Sequence, residues 1–428
     1  MIVSLGILLL VIGAGGIVFS FNALRPRYAP ASVAIASFFA GWLTAELALH
    51  AIVFQSAALL VCVWNGALTV WPGRIGAVLC VGSIAMLLLS LRQSLASGGV
   101  IDDALVDFVH HEPPPPGLRW RPLVFPLPVR HRDVERLRNR VYHADGRLEL
   151  KLDIFRRRGG DHGPNALRPA LVYAHGGAWV LGNKEHQGLP MLHHFAALGW
   201  VCFSINYRLC PRATFPDPII DVKRALAWVR AHAREHGADP DFIVVSGNSA
   251  GGHLASLAAL TPGERAWQPG FEDADTSVAA CLSFYGIYDF RDANEHWHNR
   301  GLQELLERYV MKARPADAPE RFEQASPIAH VGPHAPPFLV VHGERDSLVP
   351  VAEARRFVEA LRQASGAACA YVEVPGAQHA FEVFPSVRTL HLLRGLQRFL
   401  VHVHRNYLAA RGREPMRRAD QLPPPDGP

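Results

Sequence analysis

The stretch Phe242-Ile-Val-Val-Ser-Gly-Asn-Ser-Ala-Gly-Gly-His253 constrains this chain more than any other. Phe242 to Val245 reads as a short buried strand and Ala250 to Leu260 as a helix rich in Ala and Leu. Between them stands Gly247-Asn-Ser-Ala-Gly251, the pattern G-x-S-x-G. A strand that turns this tightly into a helix lifts the middle residue, Ser249, off the sheet edge into a strained, exposed position. Glycine is required at 247 and 251 because a Cβ there would collide with neighbouring backbone. The following helix aims its N-terminus at the serine, where free N–H groups favour negative charge. At ordinary Gly and Ser usage a chain of this length holds about 0.15 such patterns by chance, so the flanking strand and helix carry the weight.

A second motif lies upstream. The apolar run Ala170 to Ala174 reads as another buried strand, and His175-Gly-Gly-Ala-Trp179 follows it. In this arrangement the backbone N–H groups of Gly176 and Gly177, with that of Ala250, would converge on a developing oxyanion. One such donor is typically worth about 2.7–4 kcal/mol.

With these pieces in hand the chain resembles an α/β-hydrolase of the bacterial hormone-sensitive-lipase-like esterase and lipase group, carboxylesterase-like, over roughly residues 138 to 408. His175–Trp179, Asn206-Tyr-Arg-Leu209 with Phe215-Pro216, Gly247–Gly251 and Gln378-His-Ala-Phe381 carry the resemblance in that order. Two departures stand out. Many members have Asp before the serine, where this chain has Asn248, and His342-Gly-Glu-Arg-Asp-Ser-Leu-Val-Pro350 is closer to the acid region of other α/β-hydrolases. The resemblance implies a mostly parallel sheet covered by helices on both faces, and the chain order serine, acid, histidine.

Serine needs a base, and the base an orienting acid. Asp346 follows the predicted strand Phe338–Val341 and His379 follows Cys369–Val374, both at C-terminal strand ends where catalytic groups gather in parallel sheets. The expected catalytic set is therefore Ser249, Asp346 and His379. Glu344 is the alternative acid. His175 is expected to brace the oxyanion loop, His342 and His253 to be packed, and Asp289 to be structural. His110-His111 and His193-His194 have no metal spacing on a convincing scaffold. No metal or organic cofactor is implied. The expected activity is hydrolysis of a carboxylic ester, with acyl transfer or amide and formamide hydrolysis as the alternatives that the same triad serves.

Composition matters chiefly at the N-terminus. The chain of 428 residues is 49% hydrophobic with a formal charge of +5, its basic residues almost all Arg. No basic helix or aromatic-interleaved patch points to nucleic acid. Six scattered cysteines form no C-x-x-C pair, so neither a disulfide framework nor a metal site is read. Residues 2–21 are uncharged and apolar, long enough to cross a bilayer. Arg25 and Arg27 follow, without a basic segment before, as suits an uncleaved span. Ala31 to Trp71 is a second apolar tract, either two short spans or one span continuing as an amphipathic helix. Pro72-Gly73-Arg74 is read as its break and Ile75 to Leu91 as a final span.

The expected organisation is a membrane region over 1–97 with three or four transmembrane helices, a Pro-rich linker over 98–137 in polyproline II, a catalytic domain over 138–408 with an insert over 289–327, and a disordered tail over 409–428. Three spans put the catalytic domain in the cytosol and four outside. Glu46 and His50 share a helix face and are expected to meet another helix or the interface, with a functional intramembrane site as the alternative. Gly13-Ala-Gly-Gly16 is read as a helix-packing surface. The implied partners are an acyl ester or lipid substrate and the membrane; oligomeric state is left open.

Overall fold

The computed structural model describes residues 1–108, 123–127, 129–146 and 148–412. The expected polyproline stretch lies mostly outside these residues, and so does nearly all of the expected tail.

The N-terminal region is all-helical: α1 (Ile2–Leu24), α2 (Ala31–Glu46), α3 (Ala48–Trp64) and α4 (Trp71–Ala104). Two of these, α1 and α4, are long and apolar enough to cross a membrane; α2 and α3 reach that only as one pair, bent by 80° at Leu47. Among the described residues the count by length and composition is therefore two, or three with the bent pair. Neither α2 nor α3 alone has the roughly 20 residues a span requires. Pro72 does not break a helix here: it occupies the first turn of α4, where its missing N–H costs nothing. Nor does the linker begin at 98. The helix runs on to Ala104 because Gly98 lies against the ring of His391 and Ile101 against Gly395. Small residues bring α1 and α4 together, as read for 13–16: a Cβ on Gly13 would stand 2.6 Å from the carbonyl oxygen of Gly76, and one on Gly76 would stand 2.4 Å from the nitrogen of Leu10.

Beyond residue 133 come β1 (Val134–Ala144), β2 (Glu149–Arg157), β3 (Arg168–Ala174), α5 (Leu189–Ala197), β4 (Val201–Ile205), α6 (Asp217–His232), β5 (Ala238–Asn248), α7 (Ala250–Leu260) and β6 (Ala280–Phe284). The short α8 (Gly301–Leu305) and α9 (Pro319–Gln324) precede β7 (Phe338–Gly343), α10 (Val351–Ala364), β8 (Cys369–Val374) and α11 (Val387–Ala410). The eight strands form one sheet in the order β1-β2-β4-β3-β5-β6-β7-β8. Only β2 runs against the rest, pairing antiparallel with β1 and β4. The hairpin read around residues 144–146 is β1–β2.

The central strands are mostly apolar and buried because helices cover both faces. One core lies between the sheet and α6, α7 and α10, and another between the sheet, α5 and α11. This is the α/β-hydrolase fold, preceded by an all-α region. Its order sets β3, β5, β6, β7 and β8 side by side, so the loops after their C-terminal ends form one continuous rim.

Candidate active site

Ser249 sits between β5 and α7 with φ 53° and ψ −121°, a conformation that a non-glycine residue holds only when its surroundings dictate it. What dictates it is the packing of the two glycines. A Cβ on Gly247 would lie 2.2 Å from the oxygen of Gly251, and one on Gly251 would lie 2.1 Å from the oxygen of Ala174. The Ser249 N–H donates to the carbonyl of Phe284, at 2.9 Å, which ties the turn to the end of β6.

The next residue, Tyr285, leads to the histidine: its ring lies 4.3 Å, centroid to centroid, from that of His379. His379 Nδ1 donates to Asp346 Oδ2 at 2.6 Å, with both residues buried. Asp346 is held from all sides. Its Oδ1 accepts the N–H groups of Leu348 and Val349, and His342 Nε2 lies 3.2 Å from Oδ2. Burial alone would push the Asp346 carboxyl up, but the neighbouring His379 and His342 override it and hold the carboxyl well below its usual range. His342 is thus more than the packed residue expected from sequence, since it shares the oxygen that orients His379. Glu344, the alternative acid, instead accepts the N–H of Gly376.

The loop after β3 has the strain its composition predicts. Gly177 has φ 125°, and Ala178 and Trp179 follow at 53° and 60°. Trp179 anchors it: the indole is buried and donates to His253 Nδ1 at 3.2 Å. His253 therefore carries its proton on Nε2 and donates to the carbonyl of Ala325, at 2.7 Å. Burial lowers its pKa to about 3, so it is a neutral strut. His175 stacks on Tyr207 and bonds the Gly176 carbonyl through Nδ1, and burial lowers its pKa to about 4. His175 was read to brace this loop and His253 to be packed, and their contacts fit those readings. The Gly176 N–H, by contrast, is engaged by Gln187 Oε1 at 2.8 Å.

Behind the turn lies a network that sequence reasoning did not find. Asn248 Nδ2 donates to Glu382 Oε1 at 3.2 Å and to Tyr285 Oη at 3.1 Å, while Tyr173 donates to Asn248 Oδ1 at 2.8 Å. Tyr285 also donates to Glu382. Burial raises the Glu382 carboxyl to about 6. The one available signal was position: Glu382 stands three residues after His379, in the same rim. Asn248, noted as a departure, is the residue that faces this acid, where a carboxylate would meet a second one. Asp289 accepts from Arg356 at 2.8 Å and is structural, as expected.

A strained serine after β5, a glycine loop after β3 and a buried Asp–His pair after β7 and β8 define a hydrolase of the α/β class. Comparison with known proteins narrows this. The BD-FAE family profile matches residues 152–361. The chain is 51% identical over 253 residues to a probable carboxylic ester hydrolase, LipM, of Mycobacterium tuberculosis (strain ATCC 25618 / H37Rv), covering 59% of this chain and 58% of that one. It is 43% identical over 285 residues to the esterase LipQ of the same organism, covering 67% of each. Among solved structures, the butyrate-bound esterase Est2 of Thermogutta terrifontis matches with TM-score 0.53 and 28% identity, over 67% of this chain and 97% of that one. The chain belongs to the carboxylesterase family of α/β-hydrolases. It spans 58% to 67% of the length of these two curated relatives.

Proposed function

We propose that the chain is a serine ester hydrolase, held in a membrane by α1 and α4, that cleaves carboxylic esters through an acyl-enzyme on Ser249. The observation that carries this reading is the buried Asp346–His379 bond in the same rim as the left-handed Ser249 turn. With Nδ1 donating to Asp346, the Nε2 of neutral His379 is the basic nitrogen. It takes the proton from Ser249 Oγ as that oxygen attacks the ester carbonyl. The N–H groups of Gly177 and Ala250 stabilise the tetrahedral oxyanion; that of Gly176, expected to join them, is held by Gln187 Oε1. The imidazolium returns its proton to the departing alcohol. Water then enters, gives a proton to His379 and attacks the acyl-enzyme, and the carboxylic acid leaves as Ser249 regains its proton.

Similarity to LipM, LipQ and Est2 supports an ester as the substrate. The length and apolar character of α1 and α4 support the membrane. The test is turnover of p-nitrophenyl butyrate by the full chain in detergent. Ser249→Ala is expected to lose at least about 10⁴-fold in kcat, and Asp346→Asn about 10⁴-fold, because the histidine tautomer is no longer fixed. Wild-type activity retained in Ser249→Ala would end the assignment.

A further inference from the structure

α2 meets more than the other N-terminal helices: Ser37 bonds Asn22 of α1, while another face turns to the hydrolase. It lies over the Asp346–His379 end of the rim and is attached there along its length. Tyr28, just before it, accepts a hydrogen bond from Asn299 at 2.6 Å. Ala34 accepts one from Ser347 Oγ, the neighbour of Asp346, at 3.3 Å. One turn on, Phe38 sets its ring edge-on to His379 with centroids 5.9 Å apart. After another turn, Trp42 stacks on Phe38 at 5.5 Å and on Phe384 at 5.1 Å. At its end, Glu46 accepts from Arg388 Nη1 at 2.8 Å, both side chains fully buried. These residues fall at spacings of four and share one helix face.

The other face is bare and apolar: Ile35 is 50% exposed, Phe39 53% and Leu43 41%. Phe39 touches Phe38 at 4.8 Å between ring centroids. An unbroken aromatic path therefore runs from the outer surface of α2, through Phe38, to the imidazole. At about 24 Å, α2 is too short to cross the hydrocarbon core by itself, and the 80° bend at Leu47 turns the chain away from a straight crossing. Two polar atoms on the inner face are unmatched among the described residues, the acceptor Glu46 Oε2 and the donor Trp42 Nε1, and only the second lies in the aromatic path. A buried donor without an acceptor is costly and rare.

We propose that α2 is the substrate-binding roof of the active site and that the substrate is an ester resident in the bilayer. Its aliphatic chain enters past Phe39 and lies along Phe38 and Trp42, while an ester or hydroxyl oxygen of the same molecule accepts from Trp42 Nε1. The roof excludes water from His379 and lets a poorly soluble chain reach Ser249 without crossing water. This inference rests on the reading of the chain as a membrane-held serine esterase.

The experiment places the full chain in phospholipid nanodiscs and measures kcat/KM for two esters, water-soluble p-nitrophenyl butyrate and bilayer-resident 4-methylumbelliferyl oleate. The variants are Trp42→Ala, Trp42→Phe, Ser249→Ala and, as a lipid-facing control on α4, Val81→Ala. Trp42→Ala is expected to lower kcat/KM at least tenfold for the oleate and less than threefold for the butyrate. Trp42→Phe, which restores the wall without the N–H, should recover most but not all of the loss, and Val81→Ala should match wild type on both. Equal loss on both esters in Trp42→Ala, or no loss on either, overturns the roof while leaving the esterase reading intact. Turnover unaffected by Ser249→Ala overturns the esterase reading and the roof with it.

Discussion

α1 and α2 are neighbours in sequence and alike in composition, yet they are held in different ways. α1 meets α4 through glycines and serines, with backbones so close that Gly13 and Gly76 have no room for a Cβ. Side-chain hydrogen bonds between them join Ser20 to Ser83, at 3.2 Å, and Cys80 Sγ to the Leu9 carbonyl, at 4.0 Å. α2 bonds α1 through Ser37 and Asn22, but it also meets the hydrolase, through Ser347, Phe384, His379 and a fully buried ion pair with Arg388. Close backbone packing suits a surrounding that supplies no hydrophobic drive. Directional bonds and aromatic contacts suit a helix that must keep one register against a catalytic residue. The lesson is that an apolar N-terminal region need not be one structural unit: α1 and α4 pack on each other through small residues, whereas α2 also reaches the Asp346–His379 pair.

The sharpest way to break this contrast is at Glu46. Arg388 also donates through Nε to the carbonyl of Pro375, at 3.0 Å, at the start of the loop that carries His379. Glu46→Ala leaves a buried guanidinium unpaired and is expected to cost about 3–5 kcal/mol of stability. Esterase activity should fall with it, as read by chemical unfolding and p-nitrophenyl butyrate turnover in detergent. Next is Gly76→Leu, which wedges α1 from α4 and should cost at least about 1–3 kcal/mol. Because that seam is remote from the rim, kcat/KM for the soluble ester should stay within about twofold of wild type; a loss as large as that of Glu46→Ala would erase the distinction between the two regions.

The third prediction is a pH effect that only the hydrolase side can show. Burial raises Glu382 from 4.5 to about 6, so its contribution is fully present below the ordinary carboxylate range and is lost as pH rises through about 6. That rise corresponds to about 2 kcal/mol. Asp346 has the opposite sign: held low, it stabilises above its ordinary value and is lost as pH falls. Glu382→Gln, which keeps an acceptor for Tyr285, should abolish the loss between pH 4.5 and 7 in melting curves. An unchanged pH profile would dismiss Glu382 as its source. The smallest effect is expected of Val81→Ala on the outer face of α4, within about 0.5 kcal/mol of wild type.

Much of the hydrolase was legible in the sequence because its signals are local. The strand before Ser249, the two glycines and the helix after it stand within a dozen residues, and each catalytic candidate follows its own apolar strand. What escaped was long-range. His342 sits four residues before Asp346, yet in a strand that spacing alone does not make them meet; the turn Gly343-Glu-Arg-Asp346 brings them to 3.2 Å. Glu382 was hidden because nothing nearby announces that Asn248, over a hundred residues earlier, will face it. Glu46 was flagged by its charge, but its partner Arg388 lies across almost the whole chain, and only the fold reveals that the pair is buried against the enzyme. The connector was misread at its start because Gly98 and Gly99 look like helix breakers, whereas packing against α11 outweighs a propensity penalty of about 1 kcal/mol per glycine.

That last contact has a kinetic consequence. With α4 continuing unbroken until Ile101 seats on Gly395, the hydrolase is mounted on that helix at a fixed attitude instead of swinging from a leash. On the proposed reading of α4 as a membrane helix, a rim mounted in this way searches an area and not a volume. Its rate on a bilayer ester would then follow the mole fraction of that ester in the leaflet, and diluting the membrane with inert lipid would slow it even while the bulk ester concentration stayed constant.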